Sequence, residues 1–383
     1  MFFSERFQIS SELLKEYGAV DISLVCDIPL FIDPMLIFNS EKEIYKNLHK
    51  SIIRYFHFLY TKAEQGLTMK EVSAWFNFSE VPNNWLGYSL VGNKGLALGK
   101  EYAKFLYENI AFAISTHGIS KSQHIEKVML LYDGSGKDKI SDLTVNLIKG
   151  FLCEYTENFA LQYLDEKFLE KFPVDKAYFN YETESFVSKE YCLPYVLDEK
   201  GRKEYVLLTP YDILREDEPS INKKDFYESH ERVRSAIEND ILRTYVNNYI
   251  GLAVRQYEEM QRGKRRSIRE RSIRKIEKDA FKELVREYPE LYDYYIRLRE
   301  TDVDKIRSQS LAELNEQIEK LCVASQKIIS LFKNLNYQTN EQLTAREEAK
   351  ARLRFFKHII EDCDGYKNLY TDGKQIRVLP AIP

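Results

Sequence analysis

No run of about 18 apolar residues occurs in the chain, so no segment reads as a membrane-spanning helix. The N-terminus, MFFSERFQISSELLKE, is charged early and lacks the apolar core of a secretory leader. Cysteine is scarce. Cys26, Cys153, Cys192, Cys322 and Cys363 are odd in number and far apart, which excludes a paired zinc-finger spacing and a disulfide framework. Such usage fits a reducing cytoplasm. Ten prolines and 15 glycines are too few for long disordered tracts. The six histidines are dispersed, and none stands at metal-ligand spacing. There is no excess of basic charge: the net charge is −4, so any nucleic-acid contact requires a local patch. Walker A loops, dinucleotide fingerprints and Gly-x-Ser-x-Gly elbows are absent.

What is present is enough apolar residue (44%) for a sizeable core in 383 residues, with aromatics supplied mainly by 27 Tyr and 22 Phe. Aromatics bury large areas and also stack on bases, so their number does not choose between core and site. The stretch DISLVCDIPLFIDPMLIF at 21–38 reads as a strand followed by an extended turn broken at Pro29 and Pro34. Ser40 with Glu43 has capping-box spacing. Ile44, Leu48, Ile52, Phe56 and Leu59 then recur at helical period, predicting a helix over 41–60. Thr68 with Glu71 opens a short helix running through Trp75. A loop at 82–99 leads into a helix at 100–115. A second loop, DGSGKDKISD at 133–142, precedes a long helix whose expected buried stripe is Leu147, Phe151, Tyr155 and Phe159. Residues 191–210 read as a β-hairpin, YCLPYVL and EYVLLTP around DEKGRK.

Near residue 220 strand signals give way to charged helical patterns. The spacing predicts a last helix over 347–370 and then a strand-like run with nothing after it to pair. The expected architecture is α+β or α/β: a mixed domain over 1–220 with a small sheet, a mostly helical domain over 221–345, and a distinct segment over 346–383.

Four places have residue types suited to chemistry. Asp138 and Asp142, four apart, share a helical face if the helix begins early, and two such carboxylates can hold Mg²⁺ for phosphodiester chemistry. The competing reading is a helix start, with Asp138 or Ser141 as cap. The loop GNKGLALG at 92–99 offers Gly92, Lys94, Gly95 and Gly99 as a phosphate cradle, with Lys100 adding charge; a tight structural turn is the simpler reading. Asp27 and Asp33 flank IPLFI, and Asp33-Pro34 favours a structural turn. The stretch RGKRRSIRERSIRK at 262–275 carries Arg262, Lys264, Arg265, Arg266, Arg269, Arg271, Arg274 and Lys275 against one Glu. On a helix these cations could contact several phosphates. The alternative is a solvated face paired with Glu258, Glu259, Glu277 and Asp279. The run YPELYDYY at 288–295 reads as helix packing rather than a base-stacking platform.

Four segments, DIPLFIDP at 27–34, NNWLGYSLVGNKGLALG at 83–99, GKDKISDLTVNLIKGFLCEYT at 136–156 and EYVLLTPYDILRED at 204–217, resemble an uncharacterised bacterial family associated with mobile elements and phage-defence loci. ARLRFFKHIIEDCDGYKNLYTDGKQI at 351–376 is similar to the lead-in of a PD-(D/E)XK-type nuclease domain found in longer members. The acidic residue expected soon after Ile376 is missing from RVLPAIP, so no catalytic residue carries over. The resemblance implies a cytoplasmic antiviral-defence component that senses or binds nucleic acid and is associated with nuclease activity. Alternatives from other classes are a Mg²⁺-dependent nuclease using Asp138 and Asp142, and an assembly scaffold whose helical half binds a protein partner or a second copy. No membrane role is expected.

Overall fold

Capped helices begin the chain. Ser10 Oγ accepts from Glu12 N at 3.1 Å and starts α2 (Ser11–Tyr17) just after α1 (Phe3–Phe7), and Gly18 ends α2 at φ +87°. The computed structural model describes residues 1–76 other than 26 and 29, then 78, 81–87, 104, 107, 108, 124, 127, 130, 137–198, 200–215, 220–262, 269–302, 368–371 and 376–379. Within these residues the fold is α+β. Every pairing between its named strands is antiparallel, which sets the α/β alternative aside.

The segment 21–38 departs from its expected form. Its strand, β1, is only Phe31–Ile32, and Pro34 opens helix α3 (Pro34–Phe38) instead of breaking an extended turn. Proline is well placed there, because the first helical position has no intrahelical partner for an N–H. Helix α4 (Glu43–Glu64) follows. Ser40 Oγ accepts from Lys42 N at 3.3 Å rather than closing a capping box, and Lys42 takes the cap position. The buried face of α4 is Tyr45, Ile52, Tyr55, Phe56, Leu59, Tyr60 and Ala63, while Ile44 is exposed. Tyr45, Tyr55 and Tyr60 thus take core positions that the expected stripe of Ile44, Leu48, Ile52, Phe56 and Leu59 leaves out. At α5 (Met69–Phe76) half of the predicted box forms: Glu71 Oε2 accepts from both Thr68 N and Thr68 Oγ1 at 2.7 Å, while Glu71 N donates to the Thr68 carbonyl at 2.9 Å instead of to its hydroxyl.

The long helix, α6 (Lys137–Tyr163), begins inside the segment expected to be loop. Of its predicted stripe only Phe159 is fully buried; Leu147, Phe151 and Tyr155 are half-buried against the same core. Leu143, Val145, Ile148, Leu152, Cys153 and Ala160 are also buried, so the helix is covered nearly all round. Its partners include α3, α4, β1 and the sheet β2 (Leu169–Asn180), β3 (Ser185–Leu197) and β4 (Lys203–Tyr205). The predicted hairpin is the β3–β4 pair, with Tyr195 opposite Tyr205 and Leu197 opposite Lys203. Val206 N still donates to Pro194 O of β3 at 2.8 Å, and beyond it the chain leaves the ladder. Leu207 N donates to Asn83 O at 2.8 Å, and Leu208 N donates to the buried Thr156 Oγ1 at 2.9 Å.

Asp33 joins the parts. It is fully buried and caps α3 through Met35 N at 3.1 Å. Its Oδ2 accepts from Ser220 N at 3.1 Å and Ser220 Oγ at 2.7 Å and lies 3.0 Å from Arg215 Nε. Arg215 belongs to β5 (Leu214–Arg215), the partner of β1. A buried carboxylate with this many donors is compensated in place, which is why the Asp-Pro turn is structural.

A second hydrophobic cluster collects residues after 220. It draws on α7 (Lys223–Glu228), α8 (His230–Ala236), α9 (Asp240–Gln261), α10 (Glu270–Glu287) and α11 (Leu291–Thr301), and takes Met35 and Leu36 from α3. Tyr292 and Tyr295 of the tyrosine-rich run are buried in it, as packing residues. His124 Nε2 lies 2.7 Å from Glu300 Oε1, and Lys127 pairs with Asp293, fastening earlier chain to α11. The expected helix over 347–370 is overturned at its end. Asn368–Thr371 is strand β6, paired antiparallel with β7 (Ile376–Leu379), so the final strand-like run has a partner upstream. No described helix is long and apolar enough to cross a membrane.

Candidate nucleic-acid interface

Helix α9 starts where Asn239 Oδ1 accepts from Ile241 N at 3.0 Å and Leu242 N at 3.1 Å. Leu242, Val246 and Ile250 then fall on one face and enter the second cluster. Beyond Ile250 no residue of α9 is buried. In α10 the buried residues are Ala280, Phe281, Leu284 and Val285, all in its second half. The two helices pair along their length: Tyr245 packs on Tyr288 with ring centroids 5.3 Å apart, and Tyr249 OH donates to Glu283 Oε2 at 2.7 Å. Pairing moves along α9 as it moves back along α10, so the pair is an antiparallel hairpin. Its root lies in the core and its outer half, about 16 Å at helical rise, does not.

The basic stretch lies at the end of this arm, but not on one helix as expected. Arg262 is the C-cap of α9 at ψ 129°, and Arg269 is the extended N-cap of α10 at ψ 138°. The physical reason is local. Gly263 weakens a helix, and cations at i, i+3 and i+4 would repel along it. Lys264, Arg265 and Arg266 lie outside the described residues. Arg262, Arg269, Arg271, Arg274 and Lys275 are exposed. Arg274 pairs with Glu270 at 2.9 Å, and among the described residues Arg262, Arg269, Arg271 and Lys275 form no ion pair. Glu277, expected as one of their acidic neighbours, turns to Arg234 and His230.

The positions of these cations run against helix electrostatics. Arg262 suits the negative end of α9, but Arg269 and Arg271 sit at the positive end of α10. Arg269 supplies no side-chain cap; its carbonyl accepts from Ser272 N at 2.8 Å, and no described side chain accepts from the N–H of Glu270 or Arg271. An external anion would satisfy both the N–H groups and the cations.

The remaining candidates are dispersed. Asp138 and Asp142 both lie on α6, so the helix does begin early enough to put them on one face. The side chain of Asp138 lies outside the described residues, and Asp142 is half-buried. Ser141 caps nothing: it is buried within α6, and its Oγ accepts from Ile32 N at 3.1 Å, tying β1 to the helix. Gly92, Lys94, Gly95 and Gly99 lie outside the described residues, as does Lys100. Asp27 stands against Gly87, where a Cβ would come within 3.0 Å of its Oδ2. A cation-sized group of ligands among the described residues does not include Asp142. It is His230, Glu231 and Glu277. Sequence spacing could not indicate this group, because Glu277 comes from another helix and the histidines show no metal-ligand pattern.

Fold and arm together define an α+β protein with a protruding, basic helical hairpin. The family model that matches is described as Domain of unknown function (DUF8370); it covers residues 8–222, more than half of the chain, and the chain belongs to that family. The arm lies beyond the matched span. No curated protein and no solved structure matches the chain.

Proposed function

We propose that the chain is a nucleic-acid-binding component of a bacterial antiviral-defence system, acting in the cytoplasm and associated with nuclease action. The observation that carries the binding part is the arm. Its end is a cluster of exposed cations, two of them at a helix N-terminus where they cost the fold stability. Polyphosphate is the ligand class that suits both the cations and the N–H groups. The defence and nuclease associations rest on the resemblance of the four segments and of 351–376.

Fluorescence anisotropy with duplex and single-stranded oligonucleotides tests this reading. Affinity is expected to fall steeply between low and physiological salt. R265A/R266A/R269A is expected to flatten the log–log salt slope by about 2–3, at just under one per lost phosphate contact. Absence of binding at low salt would remove the proposal. Cleavage in Mg²⁺ that is abolished by Asp142→Ala would replace it with the metal-dependent nuclease.

A further inference from the structure

His230 opens α8 with its side chain 7% exposed, the ring centroid 6.0 Å from that of Phe281. Its Nδ1 is 3.0 Å from the carbonyl oxygen of Tyr227. A carbonyl only accepts, so Nδ1 carries the hydrogen, and in the neutral ring Nε2 presents its lone pair. That Nε2 is buried and has no hydrogen-bond partner. It faces Glu277 Oε2 at 3.9 Å, and one ligand atom from each of His230, Glu231 and Glu277 lies within 4.8 Å of the other two. Histidines that bind metals characteristically donate their second nitrogen to a carbonyl or carboxylate, as this one does.

We propose that His230, Glu231 and Glu277 bind a divalent transition-metal ion of the zinc or manganese class, with water completing its coordination. The donor set selects the class. One imidazole with two carboxylates suits borderline ions, whereas Mg²⁺ and Ca²⁺ prefer oxygen alone. Metal–ligand bonds near 2.0–2.2 Å put neighbouring ligand atoms about 3–3.5 Å apart. The His230–Glu277 separation exceeds that by roughly half an ångström, and Glu231 is exposed and can swing inward. Arg234 Nη1 stands 3.8 Å from Glu277 Oε1 and opposes a cation. The two carboxylates still outweigh that one guanidinium. The site joins α8 to α10 at the root of the arm, so a bound ion would brace the hairpin against the helical core. None of this depends on what the arm binds.

The test uses the untagged full chain, stripped with chelator and titrated with ZnCl₂ and with MnCl₂ by calorimetry and by thermal melting. One ion per chain is expected, with a rise in melting temperature. H230Q is expected to abolish both. E231Q separates a site from a structural network, because Glu231 is exposed and makes no described ion pair. It should leave the metal-free melting temperature unchanged and weaken binding at least tenfold. Equal binding by the wild type and E231Q, or no ion-dependent shift in the wild type, would overturn the proposal and leave an ion-pair network of His230, Arg234 and Glu277.

Discussion

Asp21 accepts from both polar groups of Ser4, the N–H at 2.9 Å on one oxygen and the hydroxyl at 2.6 Å on the other. Burial outweighs these bonds, and with Glu5 nearby it holds the carboxyl above its ordinary range. A carboxyl so raised binds its proton more readily in the folded chain than in the unfolded one. Its stabilising contribution is therefore complete below the ordinary carboxylate value and is lost as pH rises through the folded one. Asparagine can keep both contacts, its oxygen accepting from Ser4 N and its amide donating to Ser4 Oγ. Asp21→Asn is thus expected to be at least as stable as the wild type at pH 7, and less stable relative to it below about pH 4. Urea melts at the two pH values measure this; parallel pH profiles would show that burial does not dominate at Asp21. At this scale the sequence was partly legible. The Asp33-Pro34 turn could be read from the dipeptide, but its ligands Arg215 and Ser220 are too distant in sequence to be paired with it. The same distance hid Glu277 from His230.

Two glycines within helices show how element packing decides a substitution. Gly150 of α6 lies so close to β2 that an added Cβ would stand 2.6 Å from the backbone oxygen of Ala177. Alanine favours a helix by about 1 kcal/mol over glycine. Here a backbone carbonyl must move, and such overpacking costs about 1–3 kcal/mol or more. Gly251, on the outer half of α9, would meet nothing within 4 Å. Gly150→Ala is expected to lower stability and Gly251→Ala to raise it by about 1 kcal/mol, read from denaturation midpoints. Equal shifts would mean that α6 does not rest on β2. Elements with one buried face were the ones the sequence revealed: α4 and α5 follow a helical period, and at α5 Glu71 reaches back to Thr68. The β2 strand gave no signal. Its sequence LEKFPVDKAYFN carries charges on the exposed face and a proline, and its register breaks between Val174 and Tyr178, where Lys176 has φ +55°. Helix α6 misled in a different way, since burial all round leaves no single stripe to read.

At the scale of the whole molecule, charge is segregated. The chain carries −4 and the stretch 262–275 carries +7, so the remainder carries −11. On the proposed function, the arm is the place where a polyanion meets concentrated positive charge, and that would set the direction of its approach. The fold gains little from this arrangement beyond Arg262 at the negative end of α9 and the Arg274–Glu270 pair. None of the described cations of the stretch is buried, and Arg269 and Arg271 oppose the dipole of α10. Departures from local preference without a compensating contact mark positions kept for something other than stability. Arg269→Ser separates the two. Serine at an N-cap supplies the missing acceptor and should stabilise by about 0.5–1 kcal/mol. On the proposed function the same change removes the phosphate contact assigned to Arg269 and should weaken oligonucleotide binding, with a salt slope smaller by just under one. Stability rising while binding falls, measured on one protein by thermal melting and anisotropy, is the signature expected of an arm that serves a ligand. If stability and binding fell together, Arg269 would belong to the fold, and the case for the arm as an interface would have to rest on its other cations.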